Sequence, residues 1–83
     1  MKQNANFSPI KMRQIMGDNV RCMRYKSKWT LEKLSAECGL SHDYLGRFER
    51  GNVNISVDSL VKIAGAMKID PSVLLIEGFC KQK

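Results

Sequence analysis

With 83 residues, the chain has room for one domain and is too short for a large enzyme with a separate regulatory module. Hydrophobic residues make up 43% and charged residues 27%, a balance typical of a globular protein and not of a disordered one. Chains of this size bury only roughly 60% of their unfolded surface, so oligomerisation is expected to add stability.

The charge is unevenly distributed. Fourteen Lys and Arg against eight Asp and Glu give a net charge of +6, and residues 1–28, where Asp18 is the one acidic residue, carry most of the excess. This balance favours a polyanionic partner such as nucleic acid or an anionic membrane surface. A solvated basic helix that keeps the protein soluble is the alternative interpretation.

The cysteines do not have the spacing of a metal site. There are three cysteines, Cys22, Cys38 and Cys80, and no two of them form a C-x-x-C pair. His42, the single histidine of the chain, is the one imidazole that could join them as a metal ligand. We therefore expect no metal and no cofactor, and free thiols in a reducing cytoplasm. The sequence shows no signal peptide, and its apolar run at 73–76 is too short to span a bilayer.

In chain order, residues 1–7 are polar and without periodicity, which predicts a flexible arm. Ser8-Pro9 is a helix-start pair, and an apolar stripe at helical spacing follows as far as Tyr25. The pattern predicts a helix over 8–26. Gly17 interrupts it, which leaves open whether this is one helix or two.

Four more helices are predicted, over 31–38, 42–50, 57–67 and 71–76. Thr30, Ser41 and Ser56 are N-caps, Gly39 ends a helix, and Asp70-Pro71 begins the last one. No segment alternates with period two, so the fold is predicted to be all-α, with one domain over 8–78 and a basic tail over 79–83. The predicted core comprises Val20, Met23, Leu34, Leu45, Phe48, Leu60, Ile63, Ala64 and Leu74.

Residues 30–51 have the spacing of a helix-turn-helix. Ser35 is small where the second helix crosses the first, and Gly39 permits the positive φ of a tight turn. Leu40 lies under that turn, and Leu45 and Phe48 face inward.

The pattern extends beyond this hairpin and resembles the Cro/C1-type (XRE-like) helix-turn-helix regulators over about residues 16–75. The resemblance implies a five-helix, lambda-repressor-like DNA-binding domain, usually dimeric, whose third helix enters the major groove. The matching segments are Gly17-Asp18-Asn19-Val20-Arg21-Cys22-Met23-Arg24, Trp29-Thr30-Leu31-Glu32-Lys33-Leu34-Ser35, Gly39-Leu40-Ser41, Phe48-Glu49-Arg50-Gly51, Ser59-Leu60, Ile63-Ala64-Gly65-Ala66-Met67 and Asp70-Pro71.

By position, the resemblance implies that His42, Asp43 and Arg47 read base edges. Arg47 could bind guanine with two hydrogen bonds, and His42 could donate to guanine or to a phosphate. Asp43 either accepts from a cytosine amine or only stabilises the helix dipole as a first-turn anion. The alternative for all three is an ordinary solvated helix face.

The resemblance also implies phosphate contacts and an internal ion pair between Arg24 and Glu49. The expected phosphate contacts are Lys26, Lys28, Thr30, Leu31, Ser41, Tyr44, Asn52 and Asn54.

The chain departs from the family in two places. Leu31 stands where a phosphate-binding glutamine is frequent, so the backbone amides of Thr30 and Leu31 are expected to meet the phosphate instead. Residues 52–56 contain no cation, so Asn52 and Asn54 would serve as neutral donors there. The missing positive charge could come from Lys26, Lys28, Lys2, Lys11 and Arg13.

The apolar run at 73–76 leaves one face of its helix outside the core, which predicts a two-fold dimer interface at Leu75, Ile76 and Phe79. The alternative is that these residues only close the core of the monomer.

These features predict a sequence-specific dimeric transcriptional regulator of a palindromic operator, similar to phage repressors or restriction-modification controllers. It would bind double-stranded DNA in the major groove and be cytoplasmic and nucleoid-associated, with no membrane partner. The alternatives are an antitoxin that also binds a toxin, and a protein-interaction module on the same fold. An enzyme is not expected, because Ser41, His42 and Asp43 point about 100° apart on a helix and cannot form a relay.

Overall fold

The computed structural model describes residues 7–81 and consists of helices throughout. Helix α1 spans Pro9–Lys26, α2 Leu31–Cys38, α3 His42–Glu49 and α4 Val57–Met67. Two 3₁₀ segments follow, at Pro71–Leu75 and Phe79–Lys81. The described residues contain no strand. Residues 1–6 of the predicted arm and 82–83 of the predicted tail lie outside the described residues.

Serine and threonine caps begin all four helices, as predicted. The side chain of Ser8 accepts a hydrogen bond from the amide of Lys11 at 3.1 Å, and Thr30 accepts one from Lys33 at 3.0 Å. Ser41 and Ser56 do the same for α3 and α4, each at 3.1 Å. Each cap satisfies an amide that has no partner within its own helix, which explains why the predicted starts agree with the structure.

Helix α1 is continuous through Gly17, which settles the choice between one helix and two. A Cβ atom at this position would lie 2.6 Å from the carbonyl oxygen of Phe48 and 2.7 Å from that of Glu49. The glycine therefore allows α1 to pass directly over the end of α3.

The predicted fifth α-helix is wrong, because Pro71–Leu75 is a short 3₁₀ segment. The amide of Val73 donates to the carbonyl of Asp70 at 3.1 Å, and that of Ile76 to the carbonyl of Val73 at 3.2 Å, which is 3₁₀ pairing. Five residues are too few for an independent α-helix, and Ile76 is already extended. The structure thus has four α-helices among its described residues.

The core lies where the four helices and the first 3₁₀ segment meet. Seven of the nine predicted core residues are buried, whereas Met23 and Leu60 are only half-buried and pack against its edge. Met16 and Cys38 join the core. The seven buried residues are Val20, Leu34, Leu45, Phe48, Ile63, Ala64 and Leu74.

The C-terminal segment, residues 71–81, is attached to α1 by hydrogen bonds and by a disulfide bond. The side-chain amide of Asn19, 3% exposed, donates to the carbonyl of Leu74 at 2.9 Å and to that of Ile76 at 2.8 Å. Cys22 and Cys80 are joined as a disulfide, which corrects the expectation of free thiols at these positions. The fold brings together two residues 58 positions apart, and Cys38 is free and buried.

Candidate nucleic-acid interface

The α2–turn–α3 hairpin is fixed at its turn. Gly39 caps α2 with φ of +81°, the left-handed conformation that the sequence predicts there. The hydroxyl of Ser35 donates to the carbonyl of Leu40 at 2.5 Å. The Ser35 side chain therefore connects α2 to the turn that follows it by a hydrogen bond. The small size of Ser35, the one feature of this residue used to predict the turn, did not predict this bond.

Helix α3 separates an inner face from an outer one. Leu45 and Phe48 are 0% and 1% exposed, whereas His42, Asp43 and Arg47 are all exposed. Asp43 and Arg47 are four residues apart and share a face, and His42 lies about 100° around the first turn. The structure thus places the three predicted base-reading side chains on the outside of α3.

Asp43 and Arg47 contact each other. The Nε of Arg47 lies 3.4 Å from Oδ2 of Asp43, with side chains 50% and 85% exposed respectively. An exposed pair at this spacing contributes only about 0.3–0.5 kcal/mol, so it orients the guanidinium without holding it away from a base. The i,i+4 spacing is the sequence signal that could have shown this role of Asp43.

A buried ion pair locks α1 to the end of α3. The Nε of Arg24 lies 2.8 Å from Oε2 of Glu49, and its Nη2 lies 2.9 Å from Oε1. The third nitrogen, Nη1, donates to the carbonyl of Trp29 at 2.8 Å, which adds the start of α2 to the junction. The hydrogen bonds to Glu49 raise the pKa of Arg24 above its already high ordinary value. The guanidinium therefore stays charged and holds α1, α2 and α3 at one point.

The predicted phosphate contacts differ in availability. Thr30 and Ser41 are exposed, but their hydroxyls accept from helix amides. Leu31 is half-buried against the core, so its backbone amide at the start of α2, and not its side chain, is the group available to a phosphate.

The remaining predicted phosphate contacts lie around α3 and after α1. Asn52 and Asn54 are exposed in the loop after α3, and Tyr44 is half-buried. Lys28 is exposed in the turn after α1 with φ of +60°. Lys26 differs, because its ammonium group donates to the carbonyl of Cys80 and would have to leave that contact to bind a phosphate.

The predicted dimer residues are partly exposed. Leu75 and Ile76 are 43% and 47% exposed, and Phe79 is half-buried. Val57 and Val61 on α4 are also exposed, at 74% and 50%, and sequence reasoning missed them. Their i,i+4 spacing at the start of α4 was the signal available.

No helix among residues 7–81 combines the length and the apolar character needed to cross a membrane. Within the same residues, no group of three or more His, Cys, Asp or Glu side chains could hold a metal ion.

Sequence comparison connects this hairpin to known regulators. Residues 21–74 match the helix-turn-helix family. Control protein C.BamHI of Bacillus amyloliquefaciens is 40% identical over 76 residues, which cover 87% of this chain and 94% of the relative. Control protein C.SmaI of Serratia marcescens is 28% identical over 76 residues, which cover 90% of each chain.

Solved structures show the same fold. The restriction-modification controller protein C.AhdI of Aeromonas hydrophila superposes with a TM-score of 0.72 and 32% identity, covering 75% of this chain and 94% of that one. A hypothetical transcription factor, NHTF from Neisseria, superposes with a TM-score of 0.77 and 28% identity, covering 86% and 82%. The chain belongs to the Cro/C1-type (XRE-like) helix-turn-helix family of DNA-binding transcriptional regulators.

Proposed function

We propose that the protein is a homodimeric regulator of the restriction-modification controller type, which binds a palindromic operator through α3. The observation that carries this proposal is the exposed face of α3, whose base-reading side chains stand on a helix locked from behind by the Arg24–Glu49 pair. The similarity to C.BamHI along nearly its whole length supports the controller assignment.

In this proposal Arg47 reads guanine and His42 donates to guanine or phosphate at the start of the helix. Asp43 accepts from a cytosine amine while remaining beside Arg47, since each of its oxygens can accept more than one hydrogen bond. The pair would then favour adjacent cytosine and guanine positions in each half-site.

Phosphate contacts would fix the register of α3 on the duplex. Lys28 and the backbone amides at the starts of α2 and α3 provide cationic and dipolar partners, and Asn52, Asn54 and Tyr44 provide neutral donors. These contacts carry little sequence information, so their loss should weaken all duplexes alike.

Dimerisation would follow from Leu75, Ile76 and Phe79 in the C-terminal segment. A two-fold contact there covers the exposed apolar side chains and sets two recognition helices about 34 Å apart, one turn of B-DNA.

Selection of bound fragments from random duplex DNA tests the base-reading role. We expect a palindromic site, and we expect Arg47→Ala to weaken its binding by about 1–3 kcal/mol and relax one position of each half-site. Lys28→Ala is the control, and it should weaken specific and random duplexes alike. If Arg47→Ala lost affinity equally on both duplexes, Arg47 would bind phosphate instead.

The salt dependence of binding separates a DNA-binding protein from a protein-interaction module on the same fold. Binding through phosphate contacts must weaken steeply as salt rises, because counterions are released. Absence of duplex binding at low salt would contradict the proposed function.

Sedimentation at micromolar concentration tests the dimer. Leu75→Asp should give monomers, because it buries a charge in the proposed interface. Val57→Asp places the same charge on an exposed apolar side chain of α4 and should leave the dimer intact. A strictly monomeric wild type, or a dimeric Leu75→Asp variant, would contradict this interface.

A further inference from the structure

Cys22 and Cys80 are paired outside the α2–turn–α3 hairpin, and among the predicted DNA contacts Lys26 touches the pair through the Cys80 carbonyl. Cys22 lies in the second half of α1 and Cys80 in the last 3₁₀ segment, with Cα atoms 6.0 Å apart, within the range that a disulfide requires. Cys38, the third cysteine, is buried in the core and free. The fold thus selects one pair among the three thiols of the chain.

Cys22 is the more accessible cysteine of this pair. Both residues line an open cavity of about 600 Å³ between α1 and the C-terminal segment. Cys22 is half-buried and Cys80 is 6% exposed, so a reagent entering the cavity meets Cys22 first. Lys11 and Lys81 also line the cavity, as do Asp18 and Glu77.

We propose that Cys22 and Cys80 form a reversible redox modification site that fastens the C-terminal segment to α1 under oxidising conditions and releases it under reducing ones. A low-molecular-weight disulfide such as glutathione disulfide is the oxidant. The reduced glutathione pool of a cytoplasm returns the pair to thiols.

The exchange proceeds in two balanced steps. The thiolate of Cys22 attacks one sulfur of glutathione disulfide, forming a mixed disulfide and releasing one glutathione thiolate. The thiolate of Cys80 then attacks the Cys22 sulfur and releases the second glutathione. The two protons of the protein thiols go to the two released glutathiones, and two electrons pass from the protein to the oxidant.

The bond would add a covalent link to the noncovalent contacts that hold this part of the segment. Asn19 holds the carbonyls of Leu74 and Ile76, and beyond Ile76 the contacts include Lys26 with the Cys80 carbonyl and a 3.7 Å ion pair between Lys11 and Glu77. The covalent bond closes a loop of 58 positions that contains α2, α3 and α4. A bond that closes a long loop removes more conformational entropy from the unfolded chain than one that closes a short loop, so it stabilises the folded state more.

Mass spectrometry and thermal unfolding test the site on the full chain, equilibrated with either glutathione disulfide or reduced glutathione. Oxidised wild type should lose the mass of two hydrogen atoms and unfold about 10 °C or more above the reduced protein. Cys22→Ser and Cys80→Ser should lose this difference. Cys38→Ala is the matched control and should keep it.

Two results would overturn the proposal. The first is oxidised wild type that carries bound glutathione without closing the internal bond. The second is an oxidised protein with the internal bond whose unfolding temperature equals that of the reduced protein.

The same segment carries Leu75, Ile76 and Phe79, the residues of the proposed dimer interface. Oxidation of the cysteine pair should therefore also affect dimerisation, an expectation that rests on the proposed dimer. Fastening the segment orders these side chains before association, and we expect the dimer dissociation constant to fall about tenfold on oxidation. An equal constant in both states would refute this coupling. A protein that is monomeric in both states would refute the dimer instead, while mass and unfolding temperature would still decide the redox site.

Discussion

Two regions pack on α1 and are held in different ways. At the α1–α3 junction, a doubly hydrogen-bonded ion pair is buried and the backbones meet at Gly17. In the C-terminal segment, the neutral amide of Asn19 holds two carbonyls, while Leu75 and Ile76 stay nearly half exposed. The junction is therefore complete within one chain, whereas the segment has apolar surface left to cover.

This difference separates two tasks of the molecule. The orientation of α3 is set by contacts inside one chain, so the helix that we propose reads DNA does not need assembly to hold its position. The surface on which we propose assembly is held by neutral hydrogen bonds and by the Cys22–Cys80 disulfide, so it is the part that redox conditions can alter. Among losses of noncovalent contacts, damage to the junction should therefore cost the most stability, and damage to the segment should have a smaller and more local effect.

The largest expected effect comes from Arg24→Ala. Glu49, 5% exposed, would lose its buried partner, and the free energy of unfolding should fall by about 3–5 kcal/mol. Urea unfolding followed by circular dichroism measures it. Lys33→Ala is the control, because it breaks the exposed Lys33–Glu37 pair at 3.0 Å and should cost no more than about 1 kcal/mol. Equal losses would show that the junction is no stronger than a surface pair.

Gly17→Ala tests the backbone contact at the same junction. Its methyl group would meet the Phe48 and Glu49 carbonyls, and the free energy of unfolding should fall by about 1–3 kcal/mol. Gly65→Ala on α4 is the matched control. It has open space for the methyl group, so it should stabilise the protein by about 0.5–1 kcal/mol. A stabilising Gly17→Ala would contradict the close approach of α1 and α3.

Asn19→Ala tests the C-terminal segment. Two carbonyls lose their donor, and the free energy of unfolding should fall by about 1–3 kcal/mol. Hydrogen exchange should quicken in residues 73–81 and stay unchanged in α2 and α3. Asn54→Ala, at an exposed loop position, should change stability by no more than about 0.5 kcal/mol. Faster exchange throughout the chain would show that the segment is not a separate unit.

The smallest effect concerns the start of the segment. The amide of Ser72 donates to Asp70 at 2.9 Å and lowers the pKa of that carboxyl below 3.8. The stabilisation that this hydrogen bond gives is therefore fully present above the pKa of the unfolded carboxyl. It is lost as the pH falls through the lower pKa that Asp70 has in the folded protein. The gap in unfolding temperature between wild type and Asp70→Ala should narrow from about pH 7 to about pH 2. An unchanged gap would mean that the carboxylate charge contributes nothing.

Local signals explain why the α2–turn–α3 hairpin could be predicted. Thr30, Gly39 and Ser41 act on amides and turns within a few residues of themselves, and the predicted bounds of α2 and α4 are confirmed. The third predicted helix was one residue too long, since Arg50 is the cap of α3.

The segment could not be predicted in the same way, because its structure depends on distant residues. Asn19 reaches carbonyls 55 and 57 positions away, and Cys22 meets a partner 58 positions away. The five residues after Asp70 carry helix-start signals, yet they are too few to form an α-helix. The roles of individual side chains in DNA binding stay predictions.

The division of α3 into two faces also bears on how such a regulator could acquire a new operator. Leu45, Phe48 and Glu49 carry the packing of the helix, whereas His42, Asp43 and Arg47 are exposed, and Arg47 and Asp43 form an ion pair with each other. Under the proposed base-reading role, exchanging the three outer side chains for those of a related regulator should transfer its base preference and leave the packing of α3 intact. A change of operator would then require no change among the buried residues that hold the helix in place.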